Sequence, residues 1–280
     1  MRKLLLFASS AVLACEASGF EPEYLVDTLR VLAVQADLPL AAPGETVHFT
    51  TMWADPLGNG RPIAWAWGTC VNPGSTQIPN CAAALSTLAL GTDSFSATVP
   101  ADALDGVPVG ELGVIFAACA GTITLAPNPD DGAPVTCTDS SGKAVGRDGF
   151  VWGGTRVTVV NGLRNENPGI DQVLVDGAPW PASGAVLDPN VTHALSYTTT
   201  AGSAETYDVG LGPTTEQLVG WFYVTQGKLD AGYASPDENG ALDMTFTPPA
   251  SDRTRPVHVY FVLRDDRGGL SFEDRSITWK

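Results

Sequence analysis

Basic residues are scarce in this chain. Against 31 Asp and Glu stand only 15 Lys and Arg, a formal charge of −16 over 280 residues. No block of Lys or Arg offsets that field locally, so it repels phosphate backbones, and nucleic-acid binding is excluded as a function. Sequence motifs that carry chemistry are missing too: there is no Gly-x-Ser-x-Gly, no His-Glu-x-x-His and no phosphate-binding glycine loop. Histidine is rare, with His48, His193 and His258 alone. His48 and His258 fall on outward faces of separate strand patterns, and each of these two reads as a solvated strand position. No apolar stripe of period 3.6 is long enough for a core helix, and residues 82–85 (AAAL) make one helical turn at most. Apolar residues nevertheless reach 44%, too many for a disordered acidic chain. The protein is globular, and no cofactor is expected.

The clearest signal of place lies in the first fifteen residues. Arg2 and Lys3 form a positive start, and residues 4–14 (LLLFASSAVLA) run apolar without a charge. Such a layout is that of a secretory leader, and eleven residues are too few to cross a bilayer core of about 30 Å. Val12-Leu13-Ala14-Cys15 resembles the lipobox of bacterial lipoproteins, although Leu13 departs from the small residue usual at that position. The resemblance implies cleavage after Ala14 and fatty acids, palmitate among them, on Cys15, which becomes the first mature residue. The alternative is an ordinary leader cut at the same bond. Loss of Arg2 and Lys3 takes the charge to −18. Glu16 does not match the Asp associated with inner-membrane retention, which directs the expectation to the cell envelope, and there to the outer membrane of a Gram-negative bacterium.

Five cysteines are awkward in an oxidising compartment, but lipid on Cys15 leaves four: Cys70, Cys81, Cys119 and Cys137. Four can pair in three ways. Sequential pairing closes the loops at 71–80 and 120–136, each bridge adding about 3 kcal/mol if unstrained. Zinc is the rival use, without a Cys-x-x-Cys to support it.

The remainder reads as strands. A short acidic tether over 15–27 lacks periodicity. From Thr28, β-rich runs occur at 29–36, 46–53, 63–70, 94–99, 111–119 and 150–160. In the second of these, Val47, Phe49, Thr51 and Trp53 share one face and Thr46, His48 and Thr50 the other. Asn, Gly and Pro break the pattern at 161–168, where the domain boundary is placed. A second series follows at 172–175, 191–199, 219–226, 241–247, 256–264 and 270–279. Short strands separated by turn signals predict an all-β chain of two tandem antiparallel sandwiches, 28–160 and 169–280. Trp67 and Trp221 are expected to pin the sheets of each. Within 256–264, Val257, Val259, Phe261 and Leu263 face inward, leaving His258, Tyr260 and Val262 outside.

Residues 221–279 resemble the C-terminal half of bacterial immunoglobulin-like or PKD-like domains. Trp221-Phe222-Tyr223, Thr247-Pro248-Pro249, residues 257–263 and Asp265-Asp266-Arg267-Gly268-Gly269 carry the likeness. Ala42-Pro43-Gly44-Glu45-Thr46-Val47 resembles the opening of similar domains, and the whole resembles uncharacterised surface lipoproteins of high-GC Gram-negative bacteria. The resemblance implies immunoglobulin-like sandwiches used as spacers, adhesion modules, or units that bind proteins or carbohydrates.

Two polar features remain as candidate sites. Asp130, Asp131, Asp237, Asp265 and Asp266 group oxygens at turns as calcium requires, although turn capping explains the same residues. Trp180, flanked by prolines, and Tyr260 are candidates for stacking on a sugar ring, while Trp53 and Trp65 face either the core or a shared groove. The expected function is therefore a non-catalytic lipid-anchored binding or adhesion module for a protein or glycan of the envelope. Alternatives are a structural spacer and, more distantly, a secreted hydrolase with an unrecognised carboxylate site.

Overall fold

The computed structural model describes residues 22–58, 60–73, 88–125, 135–208, 210 and 212–280. Cys15, Cys81, Asp130, Asp131 and the AAAL segment lie outside them. Ten strands come from the first half: β1 (Arg30–Ala36), β2 (Leu40–Ala41), β3 (Thr46–Ala54), β4 (Ala64–Pro73), β5 (Ala89–Gly91), β6 (Ser94–Thr98), β7 (Val109–Cys119), β8 (Thr122–Leu125), β9 (Val135–Thr138) and β10 (Phe150–Val160). Twelve follow: β11 (Ile170–Val175), β12 (Ala178–Pro179), β13 (Ala185–Leu187), β14 (His193–Thr199), β15 (Thr206–Asp208), β16 (Pro213–Thr215), β17 (Val219–Val224), β18 (Lys228–Leu229), β19 (Tyr233–Ala234), β20 (Ala241–Thr247), β21 (Val257–Arg264) and β22 (Leu270–Trp279).

The two halves repeat one topology. In the first, a sheet of order β1-β3-β6 faces one of order β2-β10-β7-β4-β5. In the second, β12-β11-β14-β20-β18 faces β13-β22-β21-β17-β19. After its first long strand each half sends a short strand to the opposite sheet, where it pairs parallel with the last strand: β2 on β10 and β13 on β22. The other main pairings are antiparallel. This order, with the first, second and fifth strands on one sheet and the third, sixth and seventh on the other, is the immunoglobulin-like sandwich. Alternation dictates it, since residues i and i+2 share a face. In β3, Val47 and Phe49 are buried while Thr46, His48 and Thr50 are exposed.

Each sandwich has its own core. Val47, Phe49, Trp65, Trp67, Leu112, Val114, Val157 and Val159 belong to the first, where Trp67 stacks on Phe95 at 5.4 Å and donates Nε1–H to Thr92 O. Leu195, Tyr197, Phe222, Phe246, Phe261 and Ile277 belong to the second. The pinning ring there is Phe222, with centroids 5.2 Å from Tyr197 and 5.6 Å from Phe261. Trp221, expected in that role, points to the opposite face. Small and large residues alternate across the sheets: at Gly220 any Cβ would collide with the Tyr197 hydroxyl.

A third cluster lies between the sandwiches. Leu32 and Ala33 on β1 and Met52 and Ala54 on β3 meet Tyr223, Tyr260, Val262 and Leu270, with Trp221 and Phe272 packed against them. The outer face of the β1-β3-β6 sheet therefore packs on the outer face of the β17-β21-β22 sheet, and the sandwiches stand back to back. The faces of β21 are as expected, but the outer one is not exposed. Tyr260 and Val262 are outside their own sandwich yet buried, because a second hydrophobic surface covers them.

The segment expected as a tether through Asp27 is docked from Pro22 onward. Val224 N–H donates to Tyr24 O at 2.9 Å, and Val26 N–H to Val224 O at 2.8 Å. Tyr24 and Leu25 pack on the second core, and Val26 enters the cluster between the sandwiches. The two-residue β19 leaves the rest of the β17 edge unpaired, and this segment completes it, as exposed edges require. Residues 161–168 are held as well. Asn167 donates to Ala36 O and accepts from Leu270 N, while Asn165 donates to Asp265 Oδ2 at 3.1 Å. The Arg267 guanidinium binds Arg164 O at 2.7 Å and the buried Glu216 at 3.0 Å. Burial pushes the Glu216 carboxyl up, against the opposing Glu205 N–H and Arg267.

Cys119 and Cys137 form a disulfide. It ties the end of β7 to the β8–β9 hairpin, which covers the outer face of the first sandwich through Ile123, Val135 and Cys137 over Ala66 and Ala117. Cys70 is disulfide-bonded too.

Candidate functional site

A cleft of about 420 Å³ opens where the two sandwiches diverge. The first sandwich supplies Trp53 at the end of β3 and Arg61 from the loop that follows; the second supplies Arg255, His258 and Tyr260 on or just before β21. The volume lies in the range usual for small-molecule sites.

The Asp55 loop sets one wall. Turns close with Gly58 N–H on Asp55 O at 3.1 Å and Arg61 N–H on Gly58 O at 2.9 Å. These bring the Arg61 guanidinium onto the Asp55 carboxylate in a two-pronged pair, Nε at 2.6 Å and Nη2 at 2.9 Å. The carboxylate holds the Arg61 pKa above its ordinary value. At position 58 a Cβ would collide with Asp55 Oδ2, so any larger residue has to displace that carboxylate.

Arg255 forms the opposite wall. Asp252 sits at φ 55°, a left-handed conformation that Asp tolerates, and binds Arg255 Nη2 at 2.7 Å and the Thr254 hydroxyl at 2.9 Å. Those two hydrogen bonds, Arg255 first, lower the Asp252 pKa. Arg255 Nη1 reaches across to Pro56 O at 3.4 Å. Guanidiniums from both sandwiches thus converge on the consecutive residues Asp55 and Pro56.

The rest of the lining is aromatic. Trp53 is half-buried, edge-on to Trp65 at 6.1 Å, and donates Nε1–H to Asp93 at 3.2 Å. His258 stacks on Tyr260 with centroids 6.3 Å apart. Burial, reinforced by Asp274, pushes the Tyr260 phenol up to about 12, so it stays protonated. Backbone pairing between Thr225 and His258 extends the β17–β21 ladder beneath the cleft.

The sequence candidates are distributed differently. Of the stacking pair, Tyr260 lines the cleft, whereas Trp180 is only 3% exposed, edge-on to Phe261 at 5.9 Å. Flanking prolines give Trp180 a loop signature, but its ring fills the second core. Trp53 faces the cleft and Trp65 the core. Asp237, Asp265 and Asp266 do not form a calcium cage. Asp237 Oδ1 accepts from Asn239 and Ala241 N–H, Asp265 Oδ1 from Arg267 and Gly269 N–H, and Asp266 from Gln217 N–H. Each caps its own turn or a neighbouring one, and among the described residues no three His, Cys, Asp or Glu gather as a metal site. His193 is buried, with its ring nitrogens 2.8 Å from Asp176 and from Asp188 O. Sequence reasoning missed Arg61 and Arg255, which no periodicity marks.

No protein-family model and no curated protein sequence matches the chain. Among solved structures it is similar to the D00-D0 domain of intimin, with 13% identity and a TM-score of 0.25 over 90% of this chain and 98% of that one. It is also similar to tandem Ig repeats of Dlar, with 9% identity and a TM-score of 0.28 over 91% and 99%. A third likeness is to the adhesin InvE of Yersinia pseudotuberculosis, with 14% identity and a TM-score of 0.24 over 88% and 58%. Scores this low leave the fold assignment resting on strand order and the two parallel edge pairs.

Proposed function

We propose that this chain is a non-catalytic binding protein of the cell envelope, fastened by fatty acids at Cys15 and engaging its ligand in the cleft between its two sandwiches. The convergence of Arg61 and Arg255 on Asp55–Pro56 carries this reading. It makes the cleft a composite of both sandwiches, fixed by the packed cluster behind it. The two carboxylates that hold the cleft arginines, Asp55 and Asp252, are each committed to a guanidinium. The leader with its lipobox-like end supports the location, since two or three acyl chains anchor durably where one does not. Mass spectrometry of membrane fractions tests the anchor: a di- or triacylated Cys15 peptide is expected, and an unmodified one sinks it. A pull-down from the envelope tests the binding role, with a partner retained by the parent chain and lost from an Arg255→Gln variant.

A further inference from the structure

We propose that the cleft takes an acidic sugar, a pyranose ring bearing a carboxylate such as a uronic acid unit of an envelope polysaccharide. This deepens the binding reading and rests on it.

The argument starts from which hydrogen-bonding groups remain unused. The cleft carboxylates and Pro56 O are engaged: Asp55 by Arg61, Pro56 O by Arg255, and Asp252 by Arg255 and Thr254. Donors remain unused. Arg61 makes its hydrogen bonds through Nε and Nη2, leaving Nη1, and Arg255 through Nη1 and Nη2, leaving Nε. Among the described residues the Tyr260 hydroxyl and the His258 ring form no hydrogen bond either, and both line the cleft. Guanidinium N–H groups can only donate, so these spare positions favour a ligand that brings acceptors. Two guanidiniums favour a charged one, because charge-assisted pairs are the stronger.

Shape gives the rest. Trp53 and the His258–Tyr260 stack offer flat apolar faces beside the donors. Flat rings that are already packed lose little freedom on binding. A sugar ring has an apolar face to lay on an aromatic one, while its carboxylate reaches Arg61 Nη1 and Arg255 Nε and its hydroxyl oxygens accept from Tyr260. A bare inorganic anion leaves the aromatic faces unused; a neutral sugar leaves the guanidiniums unused. The chain's overall charge of −16 opposes any anion at long range. Each guanidinium is already paired with one carboxylate, Asp55 or Asp252, so recognition rests on directed, short-range N–H contacts rather than on net charge, with affinity expected to change only modestly with salt.

Titrating the full chain in detergent micelles with oligogalacturonate, followed by Trp fluorescence and calorimetry, tests this. Saturable binding is expected, with neutral oligogalactose and inorganic sulfate at least about tenfold weaker, as the loss of a charge-assisted contact implies. Arg255→Gln is expected to weaken oligogalacturonate binding about tenfold or more. Tyr260→Phe should weaken it a few-fold, with unchanged circular dichroism in both variants. Absence of saturation, equal binding of the neutral sugar, or an unaffected Arg255→Gln variant overturns the acidic-sugar assignment. If oligogalacturonate fails while the envelope pull-down still depends on Arg255, the ligand class alone is wrong; if both fail, the binding reading goes with it.

Discussion

Leu32→Ala probes the joint between the sandwiches without touching either inner core. Leu32 is buried among Met52, Val262 and Leu270, residues of the cluster formed by two outer sheet faces. Truncating a buried leucine costs about 2–5 kcal/mol, depending on how far the site collapses. An interface between two sheets can close more readily than a sandwich core, so about 2–3 kcal/mol is expected here. For a chain of this size unfolding as one unit that corresponds to a fall of about 4–6 °C in melting temperature. The form of the transition is more telling than the midpoint. With the cluster intact, differential scanning calorimetry should show one cooperative transition; with Leu32→Ala the coupling weakens and the transition should broaden or divide. Leu195→Ala, inside the second core, serves as the comparison and should lower stability through that sandwich directly. A cost for Leu32→Ala below about 0.5 kcal/mol, the range of ordinary surface changes, refutes the joint.

Gly58→Ala forces the loop away from Asp55, so Arg61 should leave the cleft and ligand binding should fall with little change in melting temperature; normal binding by titration would contradict the loop geometry. Replacing Cys119 and Cys137 together by serine opens an 18-residue separation and should cost about 3 kcal/mol in urea unfolding, whereas an unchanged midpoint would show that the hairpin packs as well without its link. EDTA and added calcium should leave the melting temperature unmoved, since Asp237, Asp265 and Asp266 already accept backbone N–H groups; a rise with calcium would reverse that reading. Hydrogen bonds and neighbouring cations lower the pKa values of Glu45, Asp139, Asp188, Asp237 and Asp252. Their contribution is therefore present above the ordinary carboxylate range of about 4 and lost as pH falls through the depressed values. The urea midpoint should drop between pH 5 and pH 3, and a flat profile would show that these contacts do not act on stability.

The sandwiches were legible because alternation at period two is a local property. Val47 and Phe49 on one side of β3, and Val257, Val259, Phe261 and Leu263 on one side of β21, are visible from sequence alone. The joint was not. Met52, Ala54, Tyr260 and Val262 occupy the face that alternation assigns to solvent, and only the second sandwich's arrival buries them. A one-residue ambiguity had the same effect at Trp221-Phe222, where two adjacent large rings both fit a core role and the pleat assigns them to opposite faces. Docking of Tyr24 to Val26 escaped notice because three residues are too few to show a period. The cleft was half visible: its aromatic members Trp53 and Tyr260 stood out by type, while Arg61 and Arg255 are 194 positions apart in sequence and meet only through the Asp55–Pro56 loop. Trp152 and Tyr233, 53% and 67% exposed, are further aromatic positions on the surface that strand patterns alone do not separate from core ones.

Small-angle X-ray scattering on the purified chain measures the back-to-back arrangement most directly. A single compact body of 280 residues has a radius of gyration of about 19 Å. Two sandwiches joined end to end, with centres roughly 40 Å apart, give about 24 Å. A value near the first, falling on neither dilution nor added salt, is what the buried Leu32–Met52–Val262–Leu270 cluster predicts. A value near the second would place those side chains in solvent and separate the two walls of the cleft.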